Sequence, residues 1–214
     1  HRDVHPCPTR RSSDLAFGNP TETNVNLTFY DNFSRLVKYN FIHTMNHMGN
    51  PDTMIIDPIL KYKVVAHTIP AVESELITLT PGKHTIIPIN TPQGDLEVKM
   101  ASKDDYQFII RKANVSETLH VQETNSKQKY LTGKYDIEVL TLPRFLIEDV
   151  EIKQSKLTTF TLPTTGTVSI ILPSKGFGGV YLMKDNKLEL IYNLDENKQR
   201  LTLHLLPGNY KVIF

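Results

Sequence analysis

An internal repeat constrains this chain more than any single motif does. The segment "YKVVAHTIPAVESELITLTPGKHTIIPINTPQGDLEV" from Tyr62 aligns with "YDIEVLTLPRFLIEDVEIKQSKLTTFTLPTTGTVSI" from Tyr135, at an offset of 73 residues. The element before the tyrosine recurs as well: "LTGKYDIEV" at 131–139 returns as "LPGNYKVIF" at 206–214 and, in weaker form, as "ILKYKVVA" at 59–66. Self-similarity at a fixed spacing is the signature of tandem modules.

Several residues are identical between the two segments, among them a proline and a glycine. The pairs are Thr68 with Thr141, Pro70 with Pro143, Lys83 with Lys156, Thr85 with Thr158 and, after a one-residue deletion, Gly94 with Gly166. The chain therefore predicts three tandem modules with related ends, at residues 16–69, 70–142 and 143–214.

A Gly-x-Tyr element precedes the last predicted strand in two of these modules. Gly133 and Gly208 are predicted to take the positive φ of a tight turn. Tyr135 and Tyr210 would then begin the closing strand with the ring in the core and the hydroxyl within reach of backbone. Tyr62 is predicted to occupy the same place in the first module.

The hydropathy pattern favours β structure throughout the repeat. "NVNLTF", "DLEVKM", "TVSIIL" and "RLTLHL" alternate apolar and polar residues with the period of two that a half-buried strand requires. "SRLVKYNFIH" and "FLIEDVEI" are ambiguous between strand and short helix, but the repeat aligns the second with "VESELITL", which favours a strand. The predicted fold class is all-β, as tandem small antiparallel β-sandwich modules that are Ig-like or prealbumin-like.

Residues 1–15, "HRDVHPCPTRRSSDL", differ in character from everything that follows. They contain almost no apolar residue, and the run from Pro8 to Leu15 resembles the in-frame translation of a common sequencing adapter. A basic arm for nucleic acid and a targeting peptide are the alternatives, although the apolar core of a secretory signal is absent. We expect this segment to be non-native and without stable structure.

Composition excludes several function classes. The formal net charge is +1 and Cys7 is the single cysteine. Without residues 1–15 the chain is neutral and has no basic stripe, so a nucleic-acid partner is not expected. It also has no disulfide framework or thiol nucleophile, and it contains no apolar run long enough to span a membrane.

No motif predicts a catalytic, cofactor or metal site. His43 and His47, with Asp52 nearby, have the spacing of two metal ligands on one helix face, but the glutamate of a zincin motif is missing and the module alignment favours a polar loop. A Gly-x-Ser-x-Gly nucleophile elbow is absent. "SKGFGGV" at 174–180 lacks the Gly-Lys-Ser/Thr ending of a phosphate-binding loop, so it indicates a flexible hairpin loop.

Loop aromatics are the remaining candidates for ligand contact. Tyr30, Phe33, Tyr106 and Phe177 lie next to predicted turns and could face a carbohydrate or peptide. Sugar sites commonly use aromatic platforms, and the chain has no tryptophan at all, which weakens this reading.

Several stretches resemble a known class of protein. "TNVNLTFYD", "VKYNFIHT", "DPILKYKVVAHTIPAV", "LTPGKHTIIPINTPQGDLEV", "ETLHVQE" and "KYLTGKYDIEVLTLPR" look like the region that follows the von Willebrand factor A (VWA) domain in certain Bacteroidetes VWA domain-containing proteins. The likeness runs over most of residues 21–214. It implies an exported, periplasmic or cell-surface protein whose VWA domain binds a divalent metal through Asp-x-Ser-x-Ser. This chain contains no such motif, so the resemblance assigns no metal ligand here.

Two function classes stay open on these grounds. The first is a non-catalytic structural or interaction region, in which tandem β modules space or support a VWA adhesion domain that precedes them or contact a protein partner. The alternative is a carbohydrate- or peptide-binding β-sandwich module of an exported protein. An enzyme is not expected, and the sequence does not decide the oligomeric state.

Overall fold

The computed structural model describes residues 3–4, 25–42, 54–85, 87, 89–101 and 105–214. The chain divides into two compact units. The first unit comprises His1–Leu96, Lys129–Gly133 and Glu151–Thr158, and the second comprises Glu97–Gln128, Lys134–Val150 and Thr159–Phe214.

The fold is all-β, and the described residues contain nineteen strands and no helix. In chain order the strands are β1 Asp3–Val4, β2 Asn26–Asp31, β3 Leu36–Ile42, β4 Met54–Ile55, β5 Lys61–Ala66, β6 Val72–Glu73, β7 Ile77–Thr78, β8 Gln93–Met100, β9 Gln107–Lys112, β10 His120–Glu123, β11 Lys127–Leu131, β12 Gly133–Val139, β13 Phe145–Ile152, β14 Leu157–Leu162, β15 Gly166–Ile171, β16 Gly179–Lys184, β17 Lys187–Asn193, β18 Arg200–Leu205 and β19 Tyr210–Ile213.

The strands form where the sequence alternates. The four segments with clear period-two patterning fall on β2, β8, β15 and β18, as predicted. In β8 the apolar positions Leu96, Val98 and Met100 are buried, as one face of a pleated strand requires. Both ambiguous segments are strands, β3 and β13. In each of them β-branched or aromatic residues supply a face that can pack against a neighbouring strand.

Three sheets share one arrangement of strands. Their orders are β3-β2-β5-β6, with β7 also paired to β5, then β10-β9-β12-β13, and finally β17-β16-β19. In each sheet a hairpin is followed by a closing strand that pairs antiparallel with the first strand of that hairpin. The same order of pairing therefore recurs in three sheets, and the tandem repeat remains a prediction from the sequence.

The remaining strands form smaller sheets. One has the order β11-β8-β14, one pairs β15 with β18, and one pairs β1 with β4. The β15–β18 ladder runs antiparallel from Gly166 opposite Leu205 to Ile171 opposite Arg200.

The sheets cross the predicted module boundaries. The boundary between residues 69 and 70 separates β5 from β6, and that between residues 142 and 143 separates β12 from β13, yet each of these pairs shares a sheet. β14 likewise pairs with β8. Sequence similarity gives the length of a repeat but not the residue at which each module begins. That residue depends on which strands hydrogen-bond to one another. In the structure the strands after each boundary complete the sheets of the preceding module.

Only two residues of the N-terminal segment 1–15 are described. Asp3 and Val4 pair with Ile55 and Met54 in the separate two-stranded ladder of β1 and β4. The expectation of no regular structure therefore fails at these two residues, and the adapter interpretation remains a prediction.

Each unit has an apolar core. In the first unit the core is built mainly from β2, β5 and the segment after β7, with the residues Val25, Leu27, Phe29, Tyr62, Val64, Ala66, Leu79, Ile87 and Ile89. In the second unit a cluster near the C-terminus contains Leu172, Val180, Leu194, Leu203 and Leu205.

Candidate functional site

The repeated tyrosine lies within the first three residues of the closing strand in each of the three similar sheets. Tyr62 and Tyr135 are buried, and Tyr210 is half-buried against the core of the second unit. The prediction of a buried ring is therefore confirmed for the first two and partly met for the third. Burial raises the pKa of all three hydroxyls, and the charge of Asp57 adds to this effect at Tyr62.

Two of these hydroxyls are tied to backbone a few residues upstream. The Tyr62 hydroxyl donates to the carbonyl oxygen of Asp57 at 2.7 Å, and the Tyr210 hydroxyl donates to that of Leu206 at 2.6 Å. A Cβ on Gly208 would lie 3.1 Å from the Tyr210 hydroxyl, so the glycine makes room for the ring. Its φ is not positive, contrary to the prediction. These hydrogen bonds tie the two rings to nearby backbone.

A Thr-x-Pro turn follows the closing strand at both predicted boundaries. The Thr68 hydroxyl donates to the Pro70 carbonyl at 2.6 Å, and the Thr141 hydroxyl donates to the Pro143 carbonyl at 2.7 Å. Both threonines are buried, and both X-Pro peptide bonds are cis. The same local turn therefore leads the chain from β5 to β6 and from β12 to β13.

The central residue of each Thr-x-Pro turn accepts a hydrogen bond from a backbone amide. The donor lies two residues before the glycine of the next Gly-x-Tyr element. The Leu131 amide donates to the Ile69 carbonyl, and the Leu206 amide donates to the Leu142 carbonyl, both at 2.8 Å. The same kind of backbone hydrogen bond therefore joins the two ends of residues 69–131 and the two ends of residues 142–206.

Glu138 on β12 forms ion pairs with two arginines. Its carboxylate accepts from Arg144 Nη1 at 2.5 Å and from Arg111 Nη2 at 2.8 Å. The hydrogen bond from Arg144, aided by Arg111 and by the charge of both guanidinium groups, holds the pKa of Glu138 below its ordinary value, although burial acts the other way.

Glu138 lies at the wall of two open grooves in the second unit. One groove, of about 520 Å³, is also lined by Arg111 and Leu146, and the other, of about 890 Å³, by Arg144 and Leu190. A carboxylate kept ionised by two guanidinium groups is a poor proton acceptor near neutral pH. The cluster is therefore suited to fixing β9 and the residue that precedes β13 against β12, rather than to acid–base chemistry.

Sequence reasoning missed this cluster. Asp136 faces Arg111 across the β9–β12 ladder, and Glu138 lies opposite Ile109. Glu138 reaches Arg111 diagonally, two residues along the strand, as long side chains on one face can. Only the strand register brings the pair together, so no local signal in the sequence could have found it.

Asp31 organises the turn after β2 in the first unit. Its Oδ1 accepts from the amides of Phe33 and Arg35, both at 2.9 Å, and its Oδ2 accepts from Arg35 Nε at 2.8 Å. Burial of the carboxyl raises its pKa, but these hydrogen bonds and the Arg35 charge outweigh that effect, so the pKa of Asp31 is lowered overall.

The four predicted ligand-facing aromatics lie on separate elements. Tyr30 is half-buried within β2, and Phe33 is exposed in the turn that follows, with the Arg35 guanidinium 5.2 Å from its ring centroid. Tyr106 is half-buried ahead of β9, and Phe177 is exposed in the loop before β16. The two grooves beside Glu138 are lined by other residues, and ligand contact by the aromatics remains a prediction.

The described residues show no metal-binding constellation. In that part of the chain no three histidine, cysteine, aspartate or glutamate side chains are grouped to hold a metal ion. His43, His47 and Asp52, the candidates from spacing, lie outside the described residues. Within the described ranges, no helix has the length and apolar character needed to cross a bilayer.

Comparison with known proteins gives likeness only at the level of solved structures. No protein-family model and no curated protein matches the chain. The Bacillus anthracis TIE protein is similar over 69% of this chain at 16% identity and a TM-score of 0.28, and the chain covers 31% of that protein's length.

Two further structures are similar over 76% of the chain. GBS52, the minor pilin of Streptococcus agalactiae, has 16% identity and a TM-score of 0.34, with 90% of its own chain covered. A candidate cell adhesion protein from Bacteroides fragilis NCTC 9343 has 9% identity and a TM-score of 0.30, with 89% covered. At these scores the likenesses assign no function to this chain.

Proposed function

We propose that this chain is a non-catalytic structural and interaction region, in which small β modules in tandem space or support a VWA adhesion domain of an exported or cell-envelope protein. The observation that carries the proposal is the recurrence of one sheet arrangement, with a tyrosine near the start of each closing strand and a Thr-x-Pro hydrogen bond after two of them. A chain of similar modules joined through short, hydrogen-bonded turns is a natural spacer, because each module contacts its neighbours in sequence.

The charged groups of the described residues also support a structural role. Glu138 and Asp31 are each engaged by arginine and held ionised, which suits them to fixing strands and turns. General acid–base catalysis needs the opposite, a group whose pKa lies near the working pH.

The test is to sequence the genomic DNA upstream of the codon for residue 16. We expect the genomic reading frame to continue upstream into a VWA domain that carries Asp-x-Ser-x-Ser, with the adapter-like residues 1–15 absent. An upstream domain of an unrelated class, or native coding sequence for residues 1–15, would contradict the VWA part of the proposal.

A binding module is the second candidate, and it rests on the exposure of Phe33 and Phe177. Glycan and peptide arrays probed with the protein distinguish the two. If the chain is a spacer, we expect no reproducible binding to any glycan or peptide on the arrays. Binding that Phe33→Ala or Phe177→Ala abolishes, while the exposed-site control Leu188→Ala does not, would instead establish the binding function.

A further inference from the structure

The outer strand of the hairpin lies at an edge in each of the three similar sheets. Among the described strands, β3 pairs only with β2, β10 only with β9 and β17 only with β16. The free edge of β17 therefore belongs to the arrangement that all three sheets share. An open edge is a template on which another strand can pair, and proteins commonly protect it by keeping the edge strand short or charged.

β17 is longer and more exposed than β10. β10 comprises four residues, His120–Glu123, and Gln122 within it is buried. β17 comprises seven residues, Lys187–Asn193, and all of them except Ile191 are exposed. The edge strand of the second sheet is thus short and partly covered, whereas that of the third sheet is long and open to solvent.

The outer faces of the two sheets also differ in chemistry. On β9 and β12 the outer face carries the arginine–glutamate ion pair described above. On β16 and β17, Met183 lies opposite Leu188, and Tyr181 lies opposite Leu190. These side chains alternate with Val180, which is in the core, so they occupy the outer face. An apolar strip therefore reaches the free edge, where Leu188 is 45% exposed and Leu190 is 47% exposed.

The pairing of β16 determines which backbone groups of β17 face the free edge. The Met183 amide donates to the Asn209 carbonyl at 2.8 Å, on the β19 side of β16. The direction of bonding alternates along an antiparallel strand. Because Leu188 lies opposite Met183, these two residues do not bond to each other, and the amide and carbonyl groups of Leu188 point away from β16.

We propose that the free edge of β17 is a self-association site, at which β17 of a second copy of this chain pairs antiparallel about a two-fold axis through Leu188. In this arrangement the two Leu188 residues exchange two backbone hydrogen bonds, and their side chains meet on the apolar outer face beside the two Met183 side chains. Both copies use the same surface, as a two-fold interface requires. The site does not depend on whether a VWA domain precedes the modules.

Charge complementarity favours a second copy as the partner and also selects the register. With the axis through Leu188, Lys187 of each copy lies opposite Glu189 of the other, which forms two oppositely charged cross-strand pairs. An axis through Glu189 would instead place two carboxylates opposite each other. An axis through Leu190 would include the β-bulge at Ile191, where β17 has one residue more than β16, and a bulge interrupts regular pairing.

The test measures self-association of the full chain by analytical ultracentrifugation over a series of protein concentrations. Because one pair of strands buries less area than a standard interface, we expect a reversible equilibrium between monomer and dimer. Lys187→Glu and Glu189→Lys should each weaken dimerisation roughly tenfold or more, because each places like charges opposite each other. A mixture of the two variants should restore association, since the charges of one variant complement those of the other.

Matched charge reversals at exposed positions outside β17, Lys175→Glu and Glu196→Lys, provide the controls and should leave dimerisation unchanged. Hydrogen exchange should show protection of the Leu188 amide that increases with protein concentration. A chain that stays monomeric at the highest concentration would overturn the proposal. So would a dimer that neither reversal in β17 weakens, or a loss of dimer that mixing the two variants does not reverse.

Discussion

Removing the Tyr62 side chain should unfold the first module, and removing its hydroxyl alone should not. The ring is 1% exposed and packs in a core with Phe29 and Val64. Truncation of a large buried aromatic to alanine costs about 3–5 kcal/mol. A module of this size has only a few kcal/mol of stability to lose. Tyr62→Phe keeps the ring and loses the hydrogen bond to the Asp57 carbonyl, which costs about 0.5–1.5 kcal/mol.

The assay is urea denaturation followed by far-UV circular dichroism, with the free energy of unfolding as the measured quantity. Tyr192 in β17, whose side chain is 37% exposed, supplies the matched control, and Tyr192→Ala should change the free energy by no more than about 0.5 kcal/mol. Equal, small losses for Tyr62→Ala and Tyr192→Ala would refute the assignment of Tyr62 to the core. A loss for Tyr62→Phe as large as that for Tyr62→Ala would show that the hydroxyl, not the ring, carries the stability.

Two further predictions concern carboxylates. The folded pKa of Asp31 is below its ordinary value of 3.8, so its contribution to stability is present above that value and is lost as the pH falls through the folded pKa. Acid titration of the free energy of unfolding should be shallower for Asp31→Asn, and identical profiles for the two proteins would contradict this. Glu138→Gln leaves Arg111 and Arg144 without a carboxylate and should destabilise the protein by about 1–3 kcal/mol. A double-mutant cycle with Arg144→Ala measures the coupling, and a coupling of zero would show that the contact contributes nothing.

The secondary structure followed from the sequence because its signal is local. Alternation with period two needs only neighbouring residues, so β2, β8, β15 and β18 were predictable without knowledge of their partners. The burial of Tyr62 and Tyr135 was predictable in the same way, because the repeat placed each ring at the start of a strand with an apolar residue two positions on.

Which strands bond to one another was decided by the tertiary structure. The sequence established a spacing of 73 residues, but it did not reveal that β13 and β14 belong to the sheets of the module before them. That assignment depends on backbone hydrogen bonds between segments far apart in sequence, and backbone groups are the same in every residue. The contact between Glu138 and Arg111 could not be predicted for the same reason, because it depends on the register in which β9 pairs with β12.

The contrast between Gly94 and Gly166 combines both kinds of information. The alignment made the two glycines equivalent, and their sequence surroundings give no reason to distinguish them. Only the three-dimensional structure shows that a Cβ on Gly94 would lie 2.2 Å from the Lys153 carbonyl oxygen, whereas one on Gly166 would have no described atom within 4 Å. Such contacts come from segments far away in the sequence, so the residues around each glycine do not reveal them.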